Sequence, residues 1–447
     1  MKDQFLLPDG SNREALRQMG YTFVDLIVDA VLAKQGGDFV AQEPNFCLQI
    51  PGKSNSLQEI LLAIQTQILP ATINLHHQGY MGHMDSVPLG ITIWADALIA
   101  AINNNMLSGE LAPIFTDMEV KLLHWFGRQF GLPPTCFGTL TAGGSLANIT
   151  ALFLARNHCD RSIISQGNTK PLYAFVSAAA HTSFDKAMNV LGLGKNHLIK
   201  IPTNYRGEVL VDRLETAIKN VTKKGGIPFA IIAVAGTTVT GAIDPIGDLA
   251  NLAQQYNCWF HVDCAYGGAV IFSQQWRHLL AGTDRADSIT FNPQKWLGIA
   301  RTCAMLLVKN REILETAFAQ DLPYMNCHNL NLGNLTLQGT RRTDILKLWL
   351  ALQAMGLQGW AEYIDRSFTL TQEFCQIIDR SPLVRLALEP TLNIVCFEST
   401  DPHTSNRALQ QKLQRQGQYW FSLPQWQGKE LLKAVLLHPY PRLTDIL

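Results

Sequence analysis

Short runs of apolar, mostly β-branched residues alternate with amphipathic helical patterns between residues 57 and 309. Six runs predict strands: Tyr173–Ser177, Leu198–Pro202, Phe229–Ala235, Cys258–Val262, Ser288–Phe291 and Cys303–Val308. Helical patterns separate several of them, at Ser183–Leu191, Val211–Asn220 and Ile246–Tyr256. Because strands that are apolar on both sides must be covered on both faces, this order predicts an α/β fold. We expect a mainly parallel sheet with helices on both faces and a site at the carboxyl ends of its strands.

The flanking regions have different patterns. Arg13–Ala33 carries apolar residues at helical spacing, and the polar, glycine-containing stretch Gln35–Ser56 predicts a linker. The asparagine-rich loop Pro323–Leu337 precedes a strong helical pattern at Thr343–Met355. The remainder predicts a smaller α+β unit, with candidate strands at Asn393–Phe397 and Ala434–Leu437.

Charge composition excludes several classes of function. Lys plus Arg and Asp plus Glu both number 36, so the formal net charge is zero. Nucleic acids and anionic membranes are bound through a basic surface, so we expect neither as a partner. Only 16% of the residues are charged, below the roughly 25% of ordinary soluble domains. Much surface must therefore be buried, in a large core or between subunits.

The nine cysteines are scattered and odd in number, without the spacing of a zinc site, so we expect free thiols and no metal. A polar break follows the first apolar residues too early for a signal peptide, and the most apolar stretches are too short to span a membrane. These features predict a cytoplasmic protein.

Four short segments lie beside predicted strand ends. In the first, Gly143, Gly144 and Ser145 open a helical pattern, where free N–H groups and the helix dipole can cradle a phosphate. Taken alone, this turn also fits an ordinary helix cap. In the second, His181 follows a strand; a lone histidine is more often structural or exposed than catalytic, and its place at a strand-to-helix junction favours catalysis only moderately.

The third and fourth segments carry opposite charges. Asp263 ends a strongly apolar strand, where an isolated carboxylate is costly unless it is paired, for example with a cationic ring nitrogen. The small Ala265 points to the same side and leaves room for a flat ring. Lys295 follows another strand, where desolvation favours a neutral, nucleophilic amine. A capping aspartate and a surface lysine are the alternatives for each alone. Together, the four segments match the needs of pyridoxal phosphate.

The sequence resembles the group II pyridoxal-phosphate amino-acid decarboxylases, which include glutamate, diaminobutyrate and aromatic amino-acid enzymes. The resemblance covers almost the whole chain. It rests on the order and spacing of these segments: Tyr80–Asp85, Ala112–Glu119, Thr141–Asn148, Ala180–Ala187, Gly236–Pro245, His261–Gly268, Ala286–Trp296 and Thr336–Leu350.

The resemblance implies a fold-type-I homodimer with the active site at the subunit interface. Residues 1–65 would form a helical segment packing on the partner subunit. Residues 66–330 would form a large domain that binds pyridoxal phosphate, and residues 331–447 a small C-terminal α+β domain.

The resemblance also implies roles for individual residues. Lys295 would be the Schiff-base lysine, Asp263 would pair with the pyridine nitrogen, and His181 would stack on the ring. Tyr324 would donate a proton to the substrate carbon after carbon dioxide leaves. The remaining cofactor-binding residues would hold the phosphate (Gly144, Ser145 and Asn292) or line the ring (Thr238 and Ala265).

Two positions depart from the family pattern. Gln294 stands where the family usually has a histidine before the lysine, so a hydrogen bond can be kept but a titrating group is lost. Lys433 stands where an arginine often meets the substrate α-carboxylate, and lysine offers a point charge instead of a bidentate fork.

The predicted reaction is α-decarboxylation of an L-amino acid to its amine and carbon dioxide. Asn103–Met106, including Asn105, and His83 suggest a polar side chain of the glutamate, aspartate or diaminobutyrate type. The alternatives are an aromatic amino acid or histidine, oxidative decarboxylation to an aldehyde, which Tyr324 argues against, and a non-catalytic dimeric scaffold.

Overall fold

A seven-stranded mixed sheet forms the centre of the computed structural model, which describes residues 5–34, 36–40, 42–48, 50–318 and 330–443. Its strands are β1 (Phe137–Thr141), β2 (Leu172–Ser177), β3 (Leu198–Ile201), β4 (Ile227–Val234), β5 (Trp259–Cys264), β6 (Ser288–Phe291) and β7 (Ala304–Val308). The spatial order is β1-β7-β6-β5-β4-β2-β3, and only β7 runs antiparallel to its neighbours. The expectation of a mainly parallel sheet is confirmed.

Strand β1 was not among the predicted runs. It contains Gly138, Thr139 and Thr141 among its five residues, so its sequence lacks a strong apolar signal. Every one of its residues is nevertheless buried, against β7 and the helix that precedes it. Packing against the rest of the fold, and not local β-propensity, therefore determines that these residues form a strand.

Twelve α-helices are found in the described residues. They are α1 (Arg13–Ile27), α2 (Leu57–Ala63), α3 (Gly90–Ile102), α4 (Pro113–Gln129), α5 (Gly144–Cys159), α6 (Ile163–Gln166), α7 (Ser183–Val190), α8 (Val211–Lys223), α9 (Ile246–Gln255), α10 (Glu312–Phe318), α11 (Ile345–Arg380) and α12 (Asn406–Arg415). Strands β1, β5, β6 and β7 are buried at every residue, so both faces of the sheet are covered. Helix α5 crosses the sheet against β1 and β4–β7, which places its N-terminus at the strand ends.

Helix α11 is longer than the predicted Thr343–Met355. It bends at Gly356, whose backbone (φ 62°, ψ 174°) interrupts the helix, and then continues to Arg380. Glycine tolerates this backbone conformation. The predicted helix therefore ended just before Gly356, whereas the observed helix kinks there and continues.

A second core surrounds a three-stranded antiparallel sheet of β8 (Val384–Leu386), β9 (Ile394–Ser399) and β12 (Leu432–Val435). A short hairpin, β10 (Gln425–Trp426) with β11 (Lys429–Glu430), lies beside it. Met81, far away in sequence, packs into this second core. Within the described part of the chain, no helix has the length and apolar character needed to cross a membrane.

Candidate active site

A cavity of about 400 Å³ opens at the carboxyl ends of β4, β5 and β6. It is lined by Ala142, Gly143, Gly144, Ser145, Leu146, Asn148, His181, Val234, Gly236, Thr238, Asp263, Ala265, Asn292, Gln294 and Lys295. The four segments singled out in the sequence therefore meet in one place, because parallel strands bring their carboxyl ends to the same edge of the sheet.

The carboxylate of Asp263 is buried and held from two sides. The Ala265 backbone N–H donates to Oδ1 at 3.0 Å, and the Asn148 side-chain amide donates to Oδ2 at 3.0 Å. The side chain of Asp263 is thus fixed at the floor of the cavity as a hydrogen-bond acceptor.

The amine of Lys295 faces the same cavity. Its polar contact is the thioether of Met84, with 3.8 Å between Nζ and Sδ. Burial lowers the pKa of Lys295, and the nearby charge of Asp263 acts in the opposite direction. A lysine without a strong acceptor at its amine is suited to act as a nucleophile.

The start of α5 forms a close cradle against Asn292. A Cβ atom added to Gly144 would lie 2.6 Å from Asn292 Nδ2, so glycine is needed there. Asn292 is buried, and its Oδ1 has no hydrogen-bond partner in the described structure. Free N–H groups at the first turn of a helix bind phosphate well.

The ring of His181 lies at the start of α7, with its orientation fixed locally. Its Nδ1 accepts a hydrogen bond from the Ser183 backbone N–H at 3.1 Å, so the proton of the neutral ring resides on Nε2. Burial and the charge of Lys295 lower the pKa of His181, against the opposing effect of Asp263. The imidazole is therefore neutral near neutral pH.

Gln294 lines the cavity beside Lys295 and is anchored by its carbonyl oxygen. The Cys303 backbone N–H donates to Oε1 at 2.6 Å. The amide Nε2 of Gln294 is left as a neutral donor, where a histidine would offer a titrating ring.

Lys433 reaches the rim of the cavity from the small sheet. It is 3% exposed, and its Nζ donates to the carbonyl oxygen of Thr238 at 3.2 Å. Burial lowers the pKa of Lys433 to about 8. His83 lies nearby and packs edge-on to Trp420. Although the residue as a whole is exposed, partial desolvation of its ring and the charge of Lys433 both lower the pKa of His83.

Three predicted residues within the described ranges, His83, Asn105 and Lys433, are not among those that line this cavity. The side chain of Asn105 is held by its own loop and by the segment before α11, because its Oδ1 accepts from the backbone N–H groups of Leu107 and Arg341 at 3.0 and 3.3 Å. Tyr324 lies outside the described residues. No group of three or more potential metal ligands occurs within the described ranges.

No role was predicted from the sequence for Asn148, Met84 or Ser183. Asn148 lies one turn beyond Gly144 on α5, so its helical spacing from the glycine turn was the available signal. Met84 comes from a segment more than 200 residues before Lys295, and only the folded chain joins the two.

The donor set fits pyridoxal phosphate: an amine, a buried carboxylate, a phosphate cradle and room between them. Fold and site together define a fold-type-I pyridoxal-phosphate enzyme. A family model described as the pyridoxal-dependent decarboxylase conserved domain matches residues 41–400, and the chain belongs to that family. It is a pyridoxal-phosphate-dependent amino-acid decarboxylase, a lyase, as the resemblance implied.

Curated relatives and solved structures agree with this assignment. The L-aspartate decarboxylase dtxS4 of Metarhizium robertsii is 31% identical over 371 residues, covering 80% of this chain and 74% of the relative. The glutamate decarboxylase of Drosophila melanogaster is 32% identical over 370 residues, covering 78% and 70%. The structure of mouse CSAD in its apo form superposes with a TM-score of 0.90 at 27% identity and covers 97% of both chains.

Proposed function

We propose that this enzyme is a cytoplasmic homodimer that removes the α-carboxylate of an acidic L-amino acid such as aspartate, glutamate or cysteine sulfinate. The observation that carries the substrate class is the buried ammonium of Lys433. Among the described residues, its hydrogen-bond acceptor is the backbone carbonyl of Thr238, and no salt bridge to a carboxylate is found. The charge of Lys433 contributes to lowering the pKa of His83, and the charge of Lys295 contributes to lowering the pKa of Lys433, so the three groups lie close together. We propose that Lys433 pairs with the side-chain carboxylate or sulfinate of the substrate and not with its α-carboxylate, the contact that the resemblance implied, whereas a diaminobutyrate-type ammonium would be repelled.

The names of the relatives support the same class, since they act on aspartate, glutamate and cysteine sulfinate. Diffusion of small charged substrates to the cavity needs no net charge on the protein, in keeping with the equal numbers of acidic and basic residues.

The cofactor supplies an aldehyde that bonds covalently to amines and a conjugated ring that accepts the electrons of the breaking bond. Lys295 is the residue we propose to hold the aldehyde carbon. Asp263 would accept the N–H of the pyridine ring and keep it protonated. The N–H groups around Gly144 and Ser145, together with Asn292, would hold the phosphate.

The remaining residues orient the substrate and move its proton. Lys433 and His83 would bind the substrate's acidic groups, and Asn105, which lies outside the cavity of its own chain, is proposed to contact substrate at the subunit interface. His181 would lie against the ring face, and Thr238 and Ala265 along its sides. Tyr324 is proposed to deliver the proton to Cα once carbon dioxide has left, which directs the reaction to the amine.

Uncovered apolar surface supports the homodimer. Of the 28 large apolar side chains exposed in the described residues, 20 lie within the first 114 residues. Helix α1 is amphipathic, yet none of its residues is buried. An apolar surface of this extent on one chain is typical of a subunit interface. We propose that residues 1–65 cover the partner subunit and that residues 66–330 and 331–447 act as the large and small domains.

A substrate panel tests the proposal. The purified enzyme, loaded with pyridoxal phosphate, is given aspartate, glutamate, cysteine sulfinate, diaminobutyrate, histidine and aromatic amino acids, and released carbon dioxide and amine are measured. We expect the highest kcat/KM for an acidic substrate. The Lys433→Met variant should lose this preference by about tenfold or more, the effect of removing a charged hydrogen bond. Preference for diaminobutyrate or an aromatic substrate would overturn the substrate class.

A further inference from the structure

A chain of buried polar side chains runs away from Asp263 beneath the cavity. Asn148 contacts Asp263 on one side and His261 on the other, with 3.2 Å between Asn148 Oδ1 and His261 Nε2. His261 Nδ1 lies 2.8 Å from Ser288 Oγ, and Trp259 Nε1 donates to that same hydroxyl at 2.9 Å. All five side chains are 5% exposed or less.

The direction of every hydrogen bond in this chain follows from the carboxylate. Ionised Asp263 can only accept, so the Asn148 amide must present its Nδ2 to it and its Oδ1 to His261. His261 must then donate from Nε2, which leaves Nδ1 as an acceptor. Ser288 supplies the required donor, and its oxygen accepts from the Trp259 indole.

This donor-to-acceptor direction requires that the ring of His261 be neutral. Burial lowers the pKa of His261 to about 4, although the nearby charge of Asp263 raises it. A neutral ring has one donor and one acceptor, so donation from Nε2 to the Asn148 oxygen leaves Nδ1 to accept from Ser288. All donors point toward Asp263, and hydrogen bonds aligned in this way polarise one another.

Strand geometry explains how the sequence builds the chain. Trp259, His261 and Asp263 are alternate residues of β5, so their side chains point to the same face. Ser288 on β6 is the register partner of His261. Asn148 reaches the same face from α5.

We propose that Trp259, Ser288, His261 and Asn148 form a one-directional relay of hydrogen bonds that positions Asp263 and holds its negative charge toward the cofactor ring. The four are positioning residues, and none of them needs to touch the substrate. The relay rests on the role proposed for Asp263.

Ser288→Ala tests the relay at a distance from the cavity. Without the hydroxyl, His261 Nδ1 loses its donor, so the imidazole and the Asn148 amide are held less firmly behind Asp263. We expect the dissociation constant of pyridoxal phosphate to rise by about threefold to tenfold. We also expect the visible absorbance of the bound cofactor to change in wavelength and pH range. Asn148→Asp, which cannot donate when ionised, should raise the dissociation constant by more than tenfold.

Ser183→Ala is the matched control, because Ser183 is equally buried and accepts the second N–H of Asn148 at 3.0 Å without belonging to the relay. It should lower the melting temperature to a similar extent and leave cofactor affinity and spectrum unchanged. The relay is wrong if Ser288→Ala and Ser183→Ala lower stability alike while both keep wild-type cofactor affinity and spectrum. Asp263→Asn separates the two proposals. If it too leaves affinity and spectrum unchanged, the role of Asp263 itself fails.

Discussion

Lys433 carries a cost in stability for its position at the substrate rim. Its pKa is about 8 in the folded chain against an ordinary 10.5, so between these values the unfolded chain binds more protons. Stability is therefore reduced at pH values below about 8 and rises as the pH increases from 8 to 10.5.

Lys433→Met should consequently raise the melting temperature at pH 7, because an apolar side chain of similar length replaces a buried charge. We expect a gain of about 1–3 kcal/mol in the free energy of unfolding, measured by denaturant titration at pH 7. The gain should shrink at pH 10, and a variant less stable than wild type at pH 7 would contradict the burial argument.

The same ammonium sets the pH dependence of substrate capture. Since kcat/KM reports the ionisation of the free enzyme, kcat/KM for an acidic substrate should fall as the pH rises through about 8. In Lys433→Met this descending limb should be absent. Persistence of the same limb in the variant would assign it to another group.

Lys295 is proposed to bind the cofactor covalently, and Tyr324 is proposed to determine which product is formed. Lys295→Ala should abolish both turnover and the visible absorbance of covalently held cofactor, and a fully active variant would refute its role.

Tyr324→Phe should keep cofactor binding and, with dioxygen as the oxidant, shift the product from amine toward aldehyde with peroxide. Product analysis of wild type and variant side by side checks this, and unchanged amine yield would remove Tyr324 from the mechanism.

At the scale of elements, the turn between β1 and α5 is the phosphate site that we propose. Gly144→Ala would place a methyl group 2.6 Å from Asn292 Nδ2. We expect the affinity for pyridoxal phosphate to fall by about tenfold or more, because the cradle must open. Equilibrium titration of the cofactor measures the effect.

Gly247→Ala on α9 is the control for that change, since its added Cβ would meet no atom within 4 Å. It should leave cofactor affinity unchanged and stabilise the helix by roughly 0.5–1 kcal/mol. Equal affinity in Gly144→Ala and wild type would show that the cradle is not a phosphate site.

At the scale of the whole molecule, the uncovered apolar stripe of α3 points to a second subunit. Ile91, Trp94, Leu98 and Ile102 recur at helical spacing, and each is 36–48% exposed. Leu98→Glu should convert a dimer into monomers and abolish turnover, as measured by light scattering and released carbon dioxide. A wild-type chain that is monomeric at micromolar concentration would contradict the interface.

Much of the fold could be predicted because local sequence and tertiary position agree. The runs that became β2, β4 and β7 are largely apolar and buried, and this composition has few stable solutions other than a covered sheet. The chemistry of Lys295, Asp263 and His181 could be proposed because each lies at or just beyond the end of a strand. β1 and the extension of α11 past Gly356 were not predicted, since their local patterns are weak and packing overrides them.

The sequence by itself determined the architecture, the cofactor chemistry and the family, because periodicity and the order of motifs depend only on the succession of residues along the chain. Only the tertiary structure decided which distant side chains share the cavity. It placed Met84 against Lys295, Lys433 at the carbonyl of Thr238 and Asn105 within its own loop. It also aligned the buried hydrogen bonds behind Asp263. Low charge content left open whether apolar surface is buried in a core or between subunits. The folded chain locates the uncovered part in its first 114 residues, because burial is a property of neighbours in space.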